Sequence, residues 1–214
     1  MSRPAGSVGT ETRARIVREA ESLFGERGFE GARMDELARR VGVNKAAIYH
    51  YFKSKDSILE ELIAGFLAGS RESKTELLVA LLRDDDQALD SAVEALLDYL
   101  FRNRDLLAII VTEATKTGTT ENTALFRYVK SSLDDALEIV REKNPDHPVL
   151  ERRNVEEDRL LTDALFGLFL PILMYVVLNE AWSGYRDVSS DRTRKWFIES
   201  YRHSLRRTLS GMWA

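Results

Sequence analysis

Apolar residues recur every three or four positions along almost the whole chain, which is the spacing of an amphipathic helix. One stripe comprises Ile16, Ala20, Leu23 and Phe24, and another comprises Ile58, Leu59, Leu62, Ile63 and Phe66. The strict alternation of apolar and polar residues that indicates β-strands is absent. The pattern therefore predicts an all-α fold.

Capping residues and glycines divide this pattern into about nine helices. Thr10 can cap the first helix, Asn44 the third and Ser54 the fourth, while Gly28 and Gly42 stand where helices should end. The predicted helices cover residues 10–26, 35–41, 45–51, 55–83, 87–103, 105–117, 121–143, 155–182 and 191–210.

These helices group into a small head and a larger body. We expect residues 1–9 to form a disordered arm, residues 10–55 a three-helix head and residues 56–214 a helical bundle, with the fourth helix joining the two parts. Within the body, the segment 144–148 is the clearest break, and the aspartates at 84–86 are expected to mark a solvated loop.

The net charge of −4 is divided unevenly between head and body. Residues 1–55 contain eleven Lys and Arg against seven Asp and Glu, whereas the rest of the chain contains twenty against twenty-eight. A basic head on an acidic body indicates that only the head meets a polyanion. Since such asymmetry is common by chance, it supports a function only together with a motif.

Composition excludes some classes of protein. The chain has no cysteine, so a disulfide framework, a thiol nucleophile and a cysteine-built zinc site are excluded. No signal-peptide core is expected at the N-terminus, and a cytoplasmic location is predicted.

The uncharged run 164–178 would span about 22 Å as a helix, short of a membrane core of roughly 30 Å. We predict a buried helix, kinked at Pro171.

Residues 37–52, Leu-Ala-Arg-Arg-Val-Gly-Val-Asn-Lys-Ala-Ala-Ile-Tyr-His-Tyr-Phe, predict a helix-turn-helix. Two short helices would share the core residues Leu37, Ala38, Val41, Val43 and Ile48, and Gly42 would allow a tight turn between them. In a major groove, the second helix would present Asn44 and Lys45 at its N-terminus, with Tyr49 and His50 one turn later.

The run Gly28-Phe29, Leu37-Ala38, Gly42-Val43-Asn44-Lys45 and Ile48-Tyr49-His50-Tyr51-Phe52-Lys53-Ser54-Lys55-Asp56 resembles the signature of the TetR/AcrR family of transcriptional regulators. The resemblance covers about residues 12–66. It implies a homodimer that binds a palindromic double-stranded DNA operator, represses transcription and is released by a small effector. It implies no membrane partner.

The resemblance assigns roles in the head. Tyr49, His50 and Lys55 resemble residues that contact phosphate, and Lys45, Ala46 and Ala47 stand where the family often reads bases. The two alanines replace the commoner Gly and Ser or Thr, which leaves methyl contacts with thymine in place of hydrogen bonds. Arg33 replaces a usual Thr or Ser cap and adds a cation. The predicted DNA contacts are Arg33, Asn44, Lys45, Ala46, Ala47, Tyr49, His50 and Lys55, whereas Tyr51 and Phe52 are expected in the core.

The body is expected to hold a largely apolar effector and to form the dimer. The candidate pocket residues are Tyr99, Phe126, Phe166, Phe169, Tyr175 and Trp182, with Glu113 as a polar anchor, although each aromatic residue could equally serve core packing. The eighth helix is apolar all round and the last helix carries apolar residues at four-residue steps. The candidate interface residues are Leu168, Ile172, Phe197, Tyr201 and Leu205.

Two alternatives compete with an effector-controlled repressor. The first is a regulator of the same fold without a small-molecule ligand, which is constitutive, partner-controlled or an activator. The second is an enzyme, but His50, His147 and His203 lie far apart, and the chain lacks a Gly-rich phosphate loop, GxSxG and HExxH. Glu199 and His203 share a helix face and are expected to be a surface pair. No cofactor or metal is expected.

Overall fold

The computed structural model describes residues 5–115, 124–147, 150 and 157–213, and their regular structure is entirely helical. The helices are α1 (Ala5–Gly31), α2 (Met34–Val41), α3 (Lys45–Tyr51), α4 (Lys55–Leu82), α5 (Asp86–Arg102), α6 (Arg104–Ala114), α7 (Ala124–Lys143), α8 (Glu157–Asp163, Ala164–Phe169 and Leu170–Arg186 in continuous succession) and α9 (Ser190–Trp213). The all-α prediction is confirmed.

Helix α1 begins at Ala5, earlier than Thr10. The predicted disordered arm is therefore wrong for residues 5–9, while residues 1–4 lie outside the described residues. The two glycines at positions 6 and 9 lower helix propensity, but nothing in this stretch blocks the hydrogen bonds of a helix that continues into a strongly helical segment. Gly28 interrupts α1 with a φ of 70° and ψ of 161°, as the predicted end of the helix requires.

Local signals fix the turns of the head. Gly42 has a φ of 74° and ends α2, and the Val43 amide donates to the Ala38 carbonyl across 3.0 Å. Asn44 caps α3, because its side-chain oxygen accepts from the Ala47 amide at 2.8 Å. Ser54 caps α4 in a reciprocal box with Ser57. These predicted caps are confirmed.

The head surrounds one small core. Its buried apolar residues are Ile16, Ala20, Leu23, Phe24, Phe29, Leu37, Ala38, Val41, Ile48, Phe52, Ile58 and Leu59. They come from α1 to α3 and from the start of α4, so the short recognition helix α3 depends on its neighbours for stability. Helix α4 then continues into the body, where it packs chiefly against α5 and α7.

Arginines of α9 bind aspartates along α5. Arg194 contacts Asp98 at 2.6 Å and Arg202 contacts Asp90 at 2.9 Å. Arg206 contacts Asp86 at 2.7 Å and also contacts Asp84. The aspartates at 84–86 are exposed where α4 connects to α5, as predicted for a solvated loop. In addition, Arg206 contacts two of them, and the Asp85 side chain caps α5 by accepting from the Ala88 amide at 3.0 Å.

Helix α8 contains a π-helical turn, Ala164–Phe169, immediately before Pro171. Proline has no amide hydrogen and its ring opposes the carbonyl four residues earlier, so a regular α-helix is disfavoured there. The chain accommodates Pro171 with a wider turn, in which the Leu170 amide donates to the Leu165 carbonyl. The Leu168 carbonyl accepts the Tyr201 hydroxyl at 2.9 Å, which joins α8 to α9.

The α4–α5 contact relies on a glycine. The Tyr99 hydroxyl donates to the Phe66 carbonyl at 2.8 Å, and a Cβ atom at Gly69 would collide with that hydroxyl and lie 3.1 Å from the ring. Gly69→Ala is therefore expected to reduce the free energy of unfolding by about 1–3 kcal/mol, because Tyr99 must move.

Urea unfolding followed by circular dichroism measures this change. Gly65→Ala is the matched control on the same helix, since its Cβ would meet nothing within 4 Å. That variant should gain up to about 1 kcal/mol from helix propensity. Equal effects of the two variants would contradict the close contact at Gly69.

Candidate nucleic-acid interface and effector cavity

Helix α3 presents one polar, exposed surface. Lys45, Ala46, Tyr49 and His50 are exposed on it, and Tyr49 keeps 45% of its surface accessible although it is a large aromatic residue. Asn44 is exposed at the N-terminus of α3, and Ala47 is half-buried one turn later. An exposed tyrosine beside a lysine at a helix N-terminus suits contact with phosphate and base edges.

Helix α2 contributes to the same region. Arg33 is exposed at its N-terminus and its side chain makes no capping hydrogen bond, as the sequence suggested. Asp35, in the first turn of α2, binds the Lys45 ammonium at 3.0 Å. The hydrogen bond to Asp35 raises the pKa of Lys45, because it stabilises the charged ammonium. The pair also ties the first turn of α3 to α2.

Two arginines brace the head. Arg40 of α2 holds the Glu26 carboxylate of α1 through two hydrogen bonds of 2.8 and 2.7 Å. Hydrogen bonds from Arg40 and then Ser22 lower the pKa of Glu26 to about 2. Arg13 of α1 binds Glu61 of α4 through both of its terminal nitrogens and lies over the Phe52 ring at 5.0 Å. These charge-assisted contacts join α2 and α4 to α1, and so hold together the helices that surround α3.

The structure places Lys55 differently from the other predicted DNA contacts. Its ammonium donates to the Phe29 carbonyl at 2.6 Å and to the Glu30 and Ala32 carbonyls at 3.4 Å. It also lies over the Phe29 ring, 4.4 Å from the centroid. The three hydrogen-bond donors of the ammonium group are thus directed at carbonyls where α1 ends and the turn to α2 begins. Lys55 therefore holds this turn, and the predicted phosphate contact would require the ammonium to leave it.

Lys55→Met is expected to destabilise the head. The substitution keeps the side-chain length but removes the hydrogen bonds to three carbonyls, with an expected loss of about 1.5–3 kcal/mol in the free energy of unfolding. Lys53→Met is the matched control, because Lys53 is exposed two residues earlier. Thermal unfolding checks both variants. If Lys55→Met instead keeps full stability and flattens the salt dependence of DNA binding by about one charge, the phosphate role is correct.

A cavity of about 110 Å³ lies in the body between α4, α5, α7, α8 and α9. Seven leucines of α4, α5 and α7 line it, and the π-helical turn of α8 contributes Leu168 and Phe169. The polar wall residues are Ser70, Lys74, Tyr128, Ser132 and Tyr201. An apolar wall with a few polar groups is typical of a small-molecule site.

The predicted pocket residues mostly lie elsewhere. Phe169 lines the cavity, but Phe126, Phe166 and Trp182 are exposed on the surface. Tyr99 binds the Phe66 carbonyl, and Tyr175 stacks on Phe197 with ring centroids 3.9 Å apart. Glu113 is half-buried and is not part of the cavity wall. The aromatic residues at helical spacing therefore serve packing or the surface more than this cavity.

Four of the five predicted interface residues line the cavity of the body. Leu168, Ile172, Tyr201 and Leu205 line the cavity, and Ile172, Tyr201 and Leu205 are buried within one chain. Phe197 is half-buried between Tyr175 and Tyr201. Ile172, Tyr201 and Leu205 therefore belong to the interior of one subunit, whereas Leu168 is half-buried like Phe197. The interface prediction is wrong for Ile172, because a helix that is apolar all round gives no signal for which side faces its own chain.

A different side of α8 is open. It is called here the open face of α8 and comprises Phe166, Leu178, Trp182 and Tyr185, of which Phe166 is 64% and Trp182 is 55% exposed. A hollow of about 420 Å³ lies between Tyr175, Asn179 and Trp182 on this side. By length and composition alone, Leu161–Arg186 would suffice to cross a membrane, and only 22% of its apolar window is buried. An exposed apolar surface of this size is typical of a site that contacts another protein or a membrane.

Sequence-based reasoning missed Lys74, Ser132 and Asp135. A signal was available for the first, because Lys74 follows Phe66 and Ser70 at four-residue steps on the otherwise apolar stripe of α4. A polar residue on a core-facing stripe often faces a cavity or a buried partner. Nothing comparable in the sequence pairs Lys74 with Asp135, which lies on α7.

Comparison with known proteins identifies the head. The profile of bacterial regulatory proteins of the tetR family matches residues 16–62, which contain the helix-turn-helix and its bracing helices. The head is a helix-turn-helix region of the TetR type. The matched proteins are regulators of transcription, which argues against the enzyme alternative.

Two relatives show how far the similarity extends. The HTH-type transcriptional repressor NicS of Pseudomonas putida is 34% identical over 106 residues, which are 48% of this chain and 48% of that protein. An HTH-type transcriptional repressor of Streptomyces coelicolor is 28% identical over 170 residues, covering 79% and 78% of the two chains. The chain thus spans about half the length of several curated relatives that it matches.

The fold of the body is shared with TetR-family structures. FadR of Thermus thermophilus, described as a transcriptional repressor in complex with lauroyl-CoA, aligns with a TM-score of 0.56 and 22% identity. The alignment covers 94% of this chain and 95% of FadR. At this identity the likeness concerns the fold, so a ligand for this chain must be argued from its own residues.

Proposed function

We propose that this chain is a transcriptional repressor that binds a palindromic DNA operator as a homodimer and leaves it when a small, largely apolar effector occupies the body. The observation that carries the proposal is the single helix α4, which starts in the DNA-binding head at Lys55 and lines the body cavity at Lys74. Over these residues α4 extends roughly 28 Å, so one rigid element connects both sites.

The DNA-binding part rests on the exposed surface of α3. Lys45, Tyr49 and His50 are exposed there, whereas the opposite side of α3 buries Ile48 in the head core. With the positive end of its dipole at Asn44, α3 can enter a major groove N-terminus first. The named activity of the relatives as repressors agrees with this arrangement.

Dimerisation rests on the open face of α8. A second copy would cover Phe166, Leu178, Trp182 and Tyr185 about a twofold axis, and an aromatic side chain of that copy could fill the hollow beside Trp182. This cover accounts for the apolar surface in a cytoplasmic protein without a membrane. Twofold symmetry places two α3 helices on half-sites at least one helical turn apart, about 34–36 Å.

Effector control rests on contacts that connect the cavity with the head. Helix α7 lines the cavity through Ser132, and its Arg127 binds Glu60 of α4 at 2.8 Å, within the first turns of α4. Lys74 of α4 binds Asp135 of α7 at 2.8 Å near the cavity. A ligand that separates α4 from α7 would therefore shift the start of α4 and with it the spacing of the two heads.

The first experiment is a fluorescence-anisotropy titration of the purified protein. The DNA would be a palindromic duplex obtained by selection from random sequences, with a scrambled duplex as control, at two salt concentrations. Binding of two protomers, or a multiple of two, to the selected duplex alone supports the proposal. Equal, salt-sensitive binding to both duplexes would contradict sequence-specific repression.

A further inference from the structure

One hydroxyl in the cavity wall has no partner. The Ser132 side chain is 1% exposed and its oxygen makes no hydrogen bond. The Tyr128 hydroxyl is a neighbour of Ser132, and this contact partly opposes the burial that raises the pKa of Tyr128. A buried hydroxyl without a partner costs about 1–3 kcal/mol, so such groups in native proteins call for an explanation.

Three other polar side chains of the wall already have hydrogen-bond partners. The Ser70 hydroxyl donates to the Leu67 carbonyl at 2.9 Å, and the Tyr201 hydroxyl donates to the Leu168 carbonyl at 2.9 Å. Lys74 is 9% exposed, and its ammonium group donates to the Asp135 carboxylate at 2.8 Å. A ligand would therefore find in Ser132 a hydroxyl with a hydrogen bond still to make.

The charges around Lys74 do not favour an anion. On α4, Arg71 adds a second cation, but α7 opposes both with Asp135, Glu138 and Glu142, which lie 3.5, 3.2 and 3.7 Å from Arg71. Three carboxylates thus face two cations. A carboxylate or phosphate on the ligand would have to displace Asp135 from Lys74 and then lie beside the remaining acidic groups. An amine on the ligand would lose its hydration against a wall made mostly of leucine.

We propose that the effector is an uncharged, predominantly apolar molecule with one oxygen that hydrogen-bonds to Ser132, such as a small alcohol, ketone or ester. Its size follows from the cavity of about 110 Å³, which is comparable with the roughly 150 Å³ cavity known to accept benzene. An acyl-CoA, which carries phosphates and a long chain, does not fit this chemistry. The inference rests on the proposed effector role of the cavity and specifies its ligand class.

Four probes of similar shape test the ligand class on the full-length protein without DNA. They are benzyl alcohol, toluene, benzoate and benzylammonium, each titrated at pH 7.5 by ligand-observed NMR. Benzyl alcohol is expected to bind about fivefold more tightly than toluene, which corresponds to one ordinary hydrogen bond. The two charged probes should bind at least fivefold more weakly than toluene.

Two variants connect this preference to named atoms. Ser132→Ala should bind the alcohol and toluene equally and should unfold no earlier than the wild type, because it removes a hydroxyl without a partner. Asp135→Asn should gain benzoate binding by at least fivefold, because Lys74 loses its carboxylate partner.

Three outcomes would overturn the inference. Benzoate binding to the wild type as tightly as benzyl alcohol would show that the site takes anions, and an unchanged alcohol preference in Ser132→Ala would place the ligand elsewhere. Binding of none of the probes would remove the cavity as a ligand site. Operator binding is measured separately with DNA, so failure of the DNA-binding proposal would be recognised independently.

Discussion

Lys45→Ala and Tyr49→Phe are each expected to weaken operator binding by about 1–3 kcal/mol, roughly 5- to 150-fold, while the body stays folded. Both side chains are exposed on α3 and neither contributes to the buried core, so the loss should be confined to DNA contacts. Tyr49→Phe removes only the hydroxyl that would reach a phosphate. Fluorescence anisotropy with the selected duplex measures affinity, and circular dichroism monitors the fold.

Asp35→Asn provides the matched control for Lys45. It breaks the same 3.0 Å ion pair but leaves the lysine in place, and it removes a negative charge beside the proposed DNA surface. Operator affinity should therefore stay equal or rise. If Asp35→Asn weakens binding as much as Lys45→Ala does, the ion pair and not the lysine–DNA contact matters. If both α3 variants keep full affinity at physiological salt, α3 is not the recognition helix.

Trp182→Glu is expected to convert a dimer into a monomer and to abolish tight operator binding. Trp182 is 55% exposed on the open face of α8, so a charge there would face the partner's apolar surface across the proposed interface. The monomer would contact one half-site only, and we expect operator affinity to fall at least a hundredfold. Sedimentation velocity measures the mass and anisotropy measures the affinity.

Phe126→Glu is the control for this experiment. Phe126 is a large apolar residue of comparable exposure, 49%, but it lies on α7 and is not one of the four residues that form the open face of α8. It should leave both mass and affinity unchanged. A wild-type protein that sediments as a monomer at operator-binding concentrations would contradict the proposed dimer, as would a dimer that withstands Trp182→Glu.

The head could be predicted closely because its signals are local. Gly42, Asn44 and Ser54 each act on backbone groups within a few residues, so their turns and caps can be recognised in the sequence. Lys55 is the exception. Its carbonyl partners are 23 to 26 residues earlier in the chain, and no spacing rule identifies a contact of that kind.

The body could be predicted as a set of helices but not residue by residue. Helix α8 is apolar on every side, so periodicity could not distinguish the side that lines the cavity from the side that is open. Ile172 was therefore predicted at an interface although it is buried, and Phe166 in a pocket although it is exposed. The choice depends on how α5, α7 and α9 pack around α8, which is tertiary information.

The π-helical turn of α8 has a consequence for insertions and deletions in this chain. A π turn holds about one residue more than an α turn, so it acts as an accommodated insertion. Deleting one residue from Ala164–Phe169 would restore regular winding with little rotation of the following helix, because the wider turn sweeps nearly the same angle with one residue more. Trp182 would then stay on the open face, whereas a deletion in the regular stretch Leu170–Arg186 before Trp182 would turn it away by about 100°. The π turn is therefore the part of α8 where the chain can change its length and still display the same surface.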